Sequence, residues 1–119
     1  SFRADQGGES SKLNQEVREH WCPLFEKYGV KLAFEHHDHT FKRTHPIRNG
    51  KIDPKGVIYL GDGAWGVNLR KPDTAGRWYI ARAGQIRHFF LVTLYPEARH
   101  VVAINESGQI FDEIYQRVR

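Results

Sequence analysis

Three histidines fall within four positions of this sequence, His36, His37 and His39, with Asp38 among them. Neutral imidazole is a common ligand for zinc, iron and related metals. In an extended segment residues i and i+2 point the same way, so His37 and His39 can converge on one site. A His-x-His pair is weak evidence by itself, and the residues alone leave two readings open: a ligating loop, or a solvated polar turn that is rich in histidine. The remaining histidines are less promising. His20 belongs on a helix face, His45 before Pro46 at a surface or pocket rim, and His88 and His100 in strands. Trp21, Trp65 and Trp78 read as core or pocket-wall residues. Cys22, the single cysteine, excludes an internal disulfide and a cysteine-based zinc knuckle, and is simplest as a small buried side chain.

Such a loop needs elements to hold it. Upstream, Leu13, Val17, Trp21, Leu24, Phe25 and Tyr28 recur at spacings of three and four, the stripe of an amphipathic helix. Gly7-Gly8 reads as a loop leading into it, with Ser10 or Ser11 as its cap. Pro23 removes one helical hydrogen bond, which predicts a kink or restart near residues 20–22, and Gly29 is placed to end the helix. Residues 30–34 (VKLAF) read as a buried strand, and the histidines follow directly. Ligand sites in α/β sheets lie beyond the carboxyl ends of strands, so the loop is well placed for chemistry. Downstream, Asn49-Gly50 between apolar residues marks a hairpin. Strands are predicted at 56–61, 78–83, 88–95, 99–104 and 109–115, with a tight turn at Asn105-Glu106-Ser107-Gly108. Strand 88–95 is apolar at both parities and reads as buried on both faces.

The 119 residues are 39% hydrophobic and 13% aromatic, which suits one compact domain and is too apolar for a disordered chain. No apolar run approaches the ~18 residues that span a bilayer, so no membrane partner is expected. The first ten residues, SFRADQGGES, lack the apolar segment of a signal peptide; with no Met in the chain, Ser1 reads as a processing boundary. The net charge of +4 favours anions in general. Lys42-Arg43, Arg48, Lys51, Lys55, Arg70-Lys71 and Arg117 are scattered rather than gathered on one element, so nucleic acid is not indicated. A phosphate-bearing substrate fits this charge.

Taken together, Trp21-Cys22-Pro23-Leu24-Phe25-Glu26-Lys27-Tyr28-Gly29-Val30, then Leu32-Ala33-Phe34, then His37-Asp38-His39-Thr40-Phe41-Lys42-Arg43-Thr44 closely resemble the calcineurin-like metallophosphoesterases, and among them the purple acid phosphatase-like branch. There a helix ending in LFxKYGV leads into a buried strand and a Gly-His-x-His-Thr-(Tyr/Phe)-x-Arg loop. Gly61-Asp62-Gly63-Ala64-Trp65-Gly66 resembles that family's glycine-rich loop. The resemblance is dense over 16–44, looser to Gly66 and architectural beyond. It implies that His37 and His39 each ligate a different metal of a dinuclear pair (iron, zinc or manganese). That pair would activate a hydroxide for attack on a phosphate ester. Asp38 is then a spacer. His36 stands where the motif has glycine; it either adds a donor to the substrate pocket or simply tolerates the turn, and the pocket role is the preferred reading. Arg43 is placed near the ligands or facing phosphate, and Lys42 replaces an acid. Asp62 either orients a ligand histidine or forms a turn.

The family's other ligand motifs are Asp-x-His, Gly-Asp, Gly-Asn-His with a following acid, and a further histidine upstream. They are absent, and Gly61-Asp62 comes too late to supply the bridging aspartate. Residues 1–119 are therefore expected to be the C-terminal part of a four-layered α/β sandwich: one helix and a buried strand, then a mostly antiparallel sheet. The N-terminal half of the same enzyme is the expected partner, and the chain alone is expected to be inactive. Without that half, an apolar face such as Phe90, Val92 and Leu94 should be exposed and prone to association. The resemblance also points to an exported, periplasmic or secreted enzyme. The competing reading is a non-catalytic β-rich module, or a decayed phosphoesterase, that binds an anion or a protein.

Overall fold

A computed structural model describes residues 2–4 and 12–118. The serines and glycines expected to lead into the helix lie outside the described residues. The helical stretch is divided as Pro23 requires: α1 covers Lys12–His20 and α2 covers Cys22–Lys27, with the break at Trp21 and Pro23 in the first turn of α2. Nine strands follow: β1 (Leu32–Glu35), β2 (Phe41–Thr44), β3 (Ile47–Arg48), β4 (Lys51–Ile52), β5 (Ile58–Gly61), β6 (Ile80–Gly84), β7 (His88–Leu94), β8 (Ala98–Asn105) and β9 (Ile110–Arg117). The β3–β4 hairpin turns through Asn49 and Gly50, both at positive φ (52° and 69°), as expected of Asn-Gly.

The strands form two larger sheets and the small hairpin. The four-stranded sheet has the order β1-β5-β2-β6, with β1 and β5 parallel and the other pairings antiparallel. The three-stranded antiparallel sheet has the order β7-β8-β9. A single sheet with an outer helix was the expectation, but β5 shows why two sheets are needed. Its side chains are buried on both faces. Tyr59, with Val57 just before it, packs with Phe2, Cys22, Ile47 and Tyr79 on the helix side. Ile58 and Leu60 pack with Val101, Leu32, Phe90 and Ile114 on the other. A strand apolar at both parities must be covered twice, so helices, mixed sheet and antiparallel sheet make three layers. This α/β arrangement is the C-terminal part of the expected sandwich.

Several burial expectations do not hold. β1 is half-buried rather than buried, with Phe34 exposed, because it is the edge of its sheet. β7 is also an edge strand. Only His88 is buried along it, and Phe89, Leu91, Val92 and Leu94 are exposed. The helices turn Asn14 and Cys22 inward, while Leu13, Trp21, Leu24 and Tyr28 stay outside. Trp65 and Trp78 are exposed as well. The core belongs to β5, β2 and the segment at Phe2, and the helical stripe covers only part of it.

Candidate functional site

Parallel pairing creates the site. Glu35 at the end of β1 lies beside Gly61 at the end of β5, so the two following loops leave the sheet together. The Asp62 amide donates to the Glu35 carbonyl at 3.2 Å, and His36 Nδ1 hydrogen-bonds the Asp62 carboxylate. A Cβ added at Gly63 would sit 2.2 Å from the His36 carbonyl oxygen and 2.5 Å from that of Asp38. Only a glycine lets the second loop close on the first, because no side chain fits that gap.

Asp38 is far from a spacer. It is 3% exposed and accepts from Arg3 Nε at 3.0 Å and from the Ala4 amide at 2.7 Å. Burial raises its pKa, but the Ala4 hydrogen bond and the charges of Lys42 and Arg3 outweigh burial and hold it below the ordinary value. Residues 2–4 are fixed from the other side too: the Arg3 carbonyl accepts from Tyr79 Oη at 2.6 Å and Arg77 Nη1 at 2.7 Å. Lys42 is also buried, and its ammonium contacts the Phe2 carbonyl and the Glu35 carboxylate. Burial alone would raise the Glu35 pKa; the opposing positive charges, Lys42's the largest, more than reverse this and hold it at about 2. The histidine loop is thus anchored from below by one buried carboxylate and one buried ion pair.

The predicted site residues part company around this anchor. The segment between β1 and β2 bends instead of running extended, so the i, i+2 geometry does not apply. His37 is exposed and lines a cavity of about 380 Å³ with His36, Phe34, Trp21, Val17 and Leu13. His39 is half-buried and lines a separate depression with Gly66, Val67, Asn68, Arg70 and Arg87. Among the described residues no three His, Cys, Asp or Glu side chains group as a metal site. Asp62 does hold a histidine, but that histidine is His36. Arg43, expected near phosphate, points to the other face of β2, where Nε and Nη2 grip Asp112 at 2.6 and 3.1 Å. Alternation along β2 explains this: Lys42 takes the loop side, and Arg43 ties the mixed sheet to β9. The anchoring roles of Asp38 and Lys42 were missed; an acid inside a turn was the available signal for the first, and nothing in the polar sequence of β2 marks the second. His88 and His100 lie in strands as expected, and Cys22 is buried. No helix of the described residues is long and apolar enough to cross a membrane.

No family model matches the chain. Purple acid phosphatase 18 of Arabidopsis thaliana is 33% identical over 70 residues, covering 56% of this chain and 16% of the relative. Acid phosphatase type 7 of Mus musculus is 26% identical over 110 residues, 77% of this chain and 24% of the relative. The purple acid phosphatase PPD1 from yellow lupin (Lupinus luteus) seeds superposes with a TM-score of 0.84 at 19% identity, over 98% of this chain and 23% of that one. The chain is purple acid phosphatase-like. It is similar to the C-terminal portion of the fold, and it spans a quarter or less of the length of these relatives. In this purple acid phosphatase-like portion, the loop after β1 carries the His-x-His pair and the loop after β5 closes over it.

Proposed function

We propose that the chain is the C-terminal part of a dinuclear-metal phosphoesterase of the calcineurin-like group, with His37 and His39 as its metal ligands. The carrying observation is the state of these two rings. Among the described residues neither the His37 ring nor the His39 ring takes a hydrogen-bond partner, while the His36 ring beside them is engaged by Asp62. An imidazole ligates through an unprotonated nitrogen, so the two unengaged rings suit the donor set, whether for iron, zinc or manganese. Bound metals would supply an activated hydroxide and charge stabilisation at phosphorus. The chain's own residues hold the ligands in place: Asp38 pins the turn between them, Gly63 lets the second loop close, and Asp62 fixes His36 at the rim.

The preceding part of the same fold is the proposed partner. The outer edge of β1 is unpaired among the described residues, and exposed Leu13, Trp21 and Phe34 line the cavity beside it. An uncovered edge next to apolar surface suits further strands and helices. On this reading residues 1–119 are one segment of a catalytic domain, without turnover alone, and the enzyme is exported to a periplasmic or extracellular location. The test is metal analysis and phosphate release from a chromogenic phosphate monoester, with the chain joined to its preceding portion. About two metal ions per molecule are expected, and His37→Ala should reduce hydrolysis by at least ~100-fold. Unchanged turnover in that variant would overturn the reading.

A further inference from the structure

We propose that His88 is a positioning residue for the site: as a buried imidazolium, it grips the peptide bond from which the loop after β5 departs. The residue is 0% exposed. Nδ1 lies 2.8 Å from the Ile86 carbonyl oxygen, and Nε2 lies 2.9 Å from that of Gly61. Carbonyl oxygens only accept hydrogen bonds, and a neutral imidazole has one N–H to give. Either neutral tautomer would therefore set a bare nitrogen lone pair against a carbonyl lone pair. Turning the ring over does not help, because a C–H group approaches an oxygen no closer than about 3.3 Å. The imidazolium, with a donor on each nitrogen, satisfies both carbonyls at once.

The surroundings suit a cation. Phe41, Phe90 and Phe111 stand nearly perpendicular to the imidazole, with ring centroids 5.2, 5.2 and 5.8 Å from its own. At that range aromatic rings attract a cation. With two charge-assisted hydrogen bonds, they offset the desolvation of the charge. The charged groups of the packed elements are engaged elsewhere. Asp112, beside Phe111, is held by Arg43 and Arg82, Arg87 donates to the Val67 carbonyl, and Lys42 meets Glu35 from the other face of β2.

The Gly61–Asp62 peptide is thereby held at both ends. Its N–H, the Asp62 amide, donates to the Glu35 carbonyl at 3.2 Å, and its carbonyl accepts from His88. Asp62, which holds His36, and Gly63, which closes on the histidine loop, follow directly. The clamp itself rests on these contacts. That it serves metal binding and turnover rests on the hydrolase reading.

The test is proton–nitrogen NMR of the histidine rings in the 119-residue chain at about pH 7.5, where an ordinary histidine has given up one ring proton. Both His88 nitrogens should carry a directly bonded proton, and one bare nitrogen would overturn the clamp. His88→Phe keeps an aromatic ring and removes both donors. It should speed hydrogen exchange of the Asp62 amide about tenfold. The Ile47 amide, which bonds the Val57 carbonyl away from the ring, should change less than about twofold. Equal acceleration at both amides would mean a general loss of stability and overturn the link to the loop. If the variant does not fold, the ring signature of the unaltered chain decides alone. Neither measurement involves metal or turnover. A bare nitrogen at His88 leaves the hydrolase reading standing, and unchanged turnover in His37→Ala leaves the clamp standing.

Discussion

Replacing Lys42 by methionine tests how the histidine loop is anchored. Lys42 is 2% exposed and meets the Glu35 carboxylate and the Phe2 carbonyl. Burial opposes the charge on Glu35, yet its pKa falls from 4.5 to about 2, so the opposing positive charges win, Lys42's the largest among them. A drop of that size corresponds to about 3 kcal/mol of stability at neutral pH. The folded-state pKa is depressed, so this contribution is complete above the unfolded value of 4.5 and fades as pH falls towards about 2. Lys42→Met leaves the half-buried Glu35 carboxylate without its main counter-charge and should cost about 2–4 kcal/mol in urea denaturation at pH 7. With the largest opposing charge gone, Glu35 takes up its proton more readily, and the deficit should shrink to about 1–2 kcal/mol at pH 3. Replacing both partners, Glu35→Leu with Lys42→Met, removes charge and counter-charge together and should recover most of the loss. A single-variant deficit under about 1 kcal/mol, or one equal at pH 7 and pH 3, would refute the argument.

Two further outcomes follow from the same structure. Gly63→Ala puts a methyl 2.2 Å from the His36 carbonyl. It should force the two loops apart, cost about 2–4 kcal/mol in chemical denaturation and weaken metal retention in the longer protein, whereas Gly76→Ala, far from any such contact, should leave metal retention unchanged. Arg43→Ala should cost about 1–3 kcal/mol in chemical denaturation, since Asp112 keeps Arg82 as a partner, and should leave metal retention in the longer protein unaltered; a large loss of bound metal would return Arg43 to the neighbourhood of the ligands.

The sequence was sufficient wherever the determining physics is local. Pro23 divides the helix because proline lacks the amide its turn requires. Asn49-Gly50 makes the hairpin because both residues tolerate positive φ. The 37–44 motif carries its resemblance in contiguous residues, which a linear reading captures. What only tertiary structure decided depends on strands distant in sequence coming together. The parallel pairing of β1 with β5 places Asp62 on His36 and Gly63 under the loop, 26 and 27 positions further along the chain. Nothing in the local sequence of either loop encodes that meeting. Asp38 looked like a spacer because its partners, Arg3 and Ala4, reach it from more than thirty positions away. Arg43 and Lys42 are adjacent, and pleating sends them to opposite layers. Burial was misjudged most where an apolar strand lies at a sheet edge, as with β1 and β7. Hydrophobicity marks what can be covered, and only the packing of the layers determines what is.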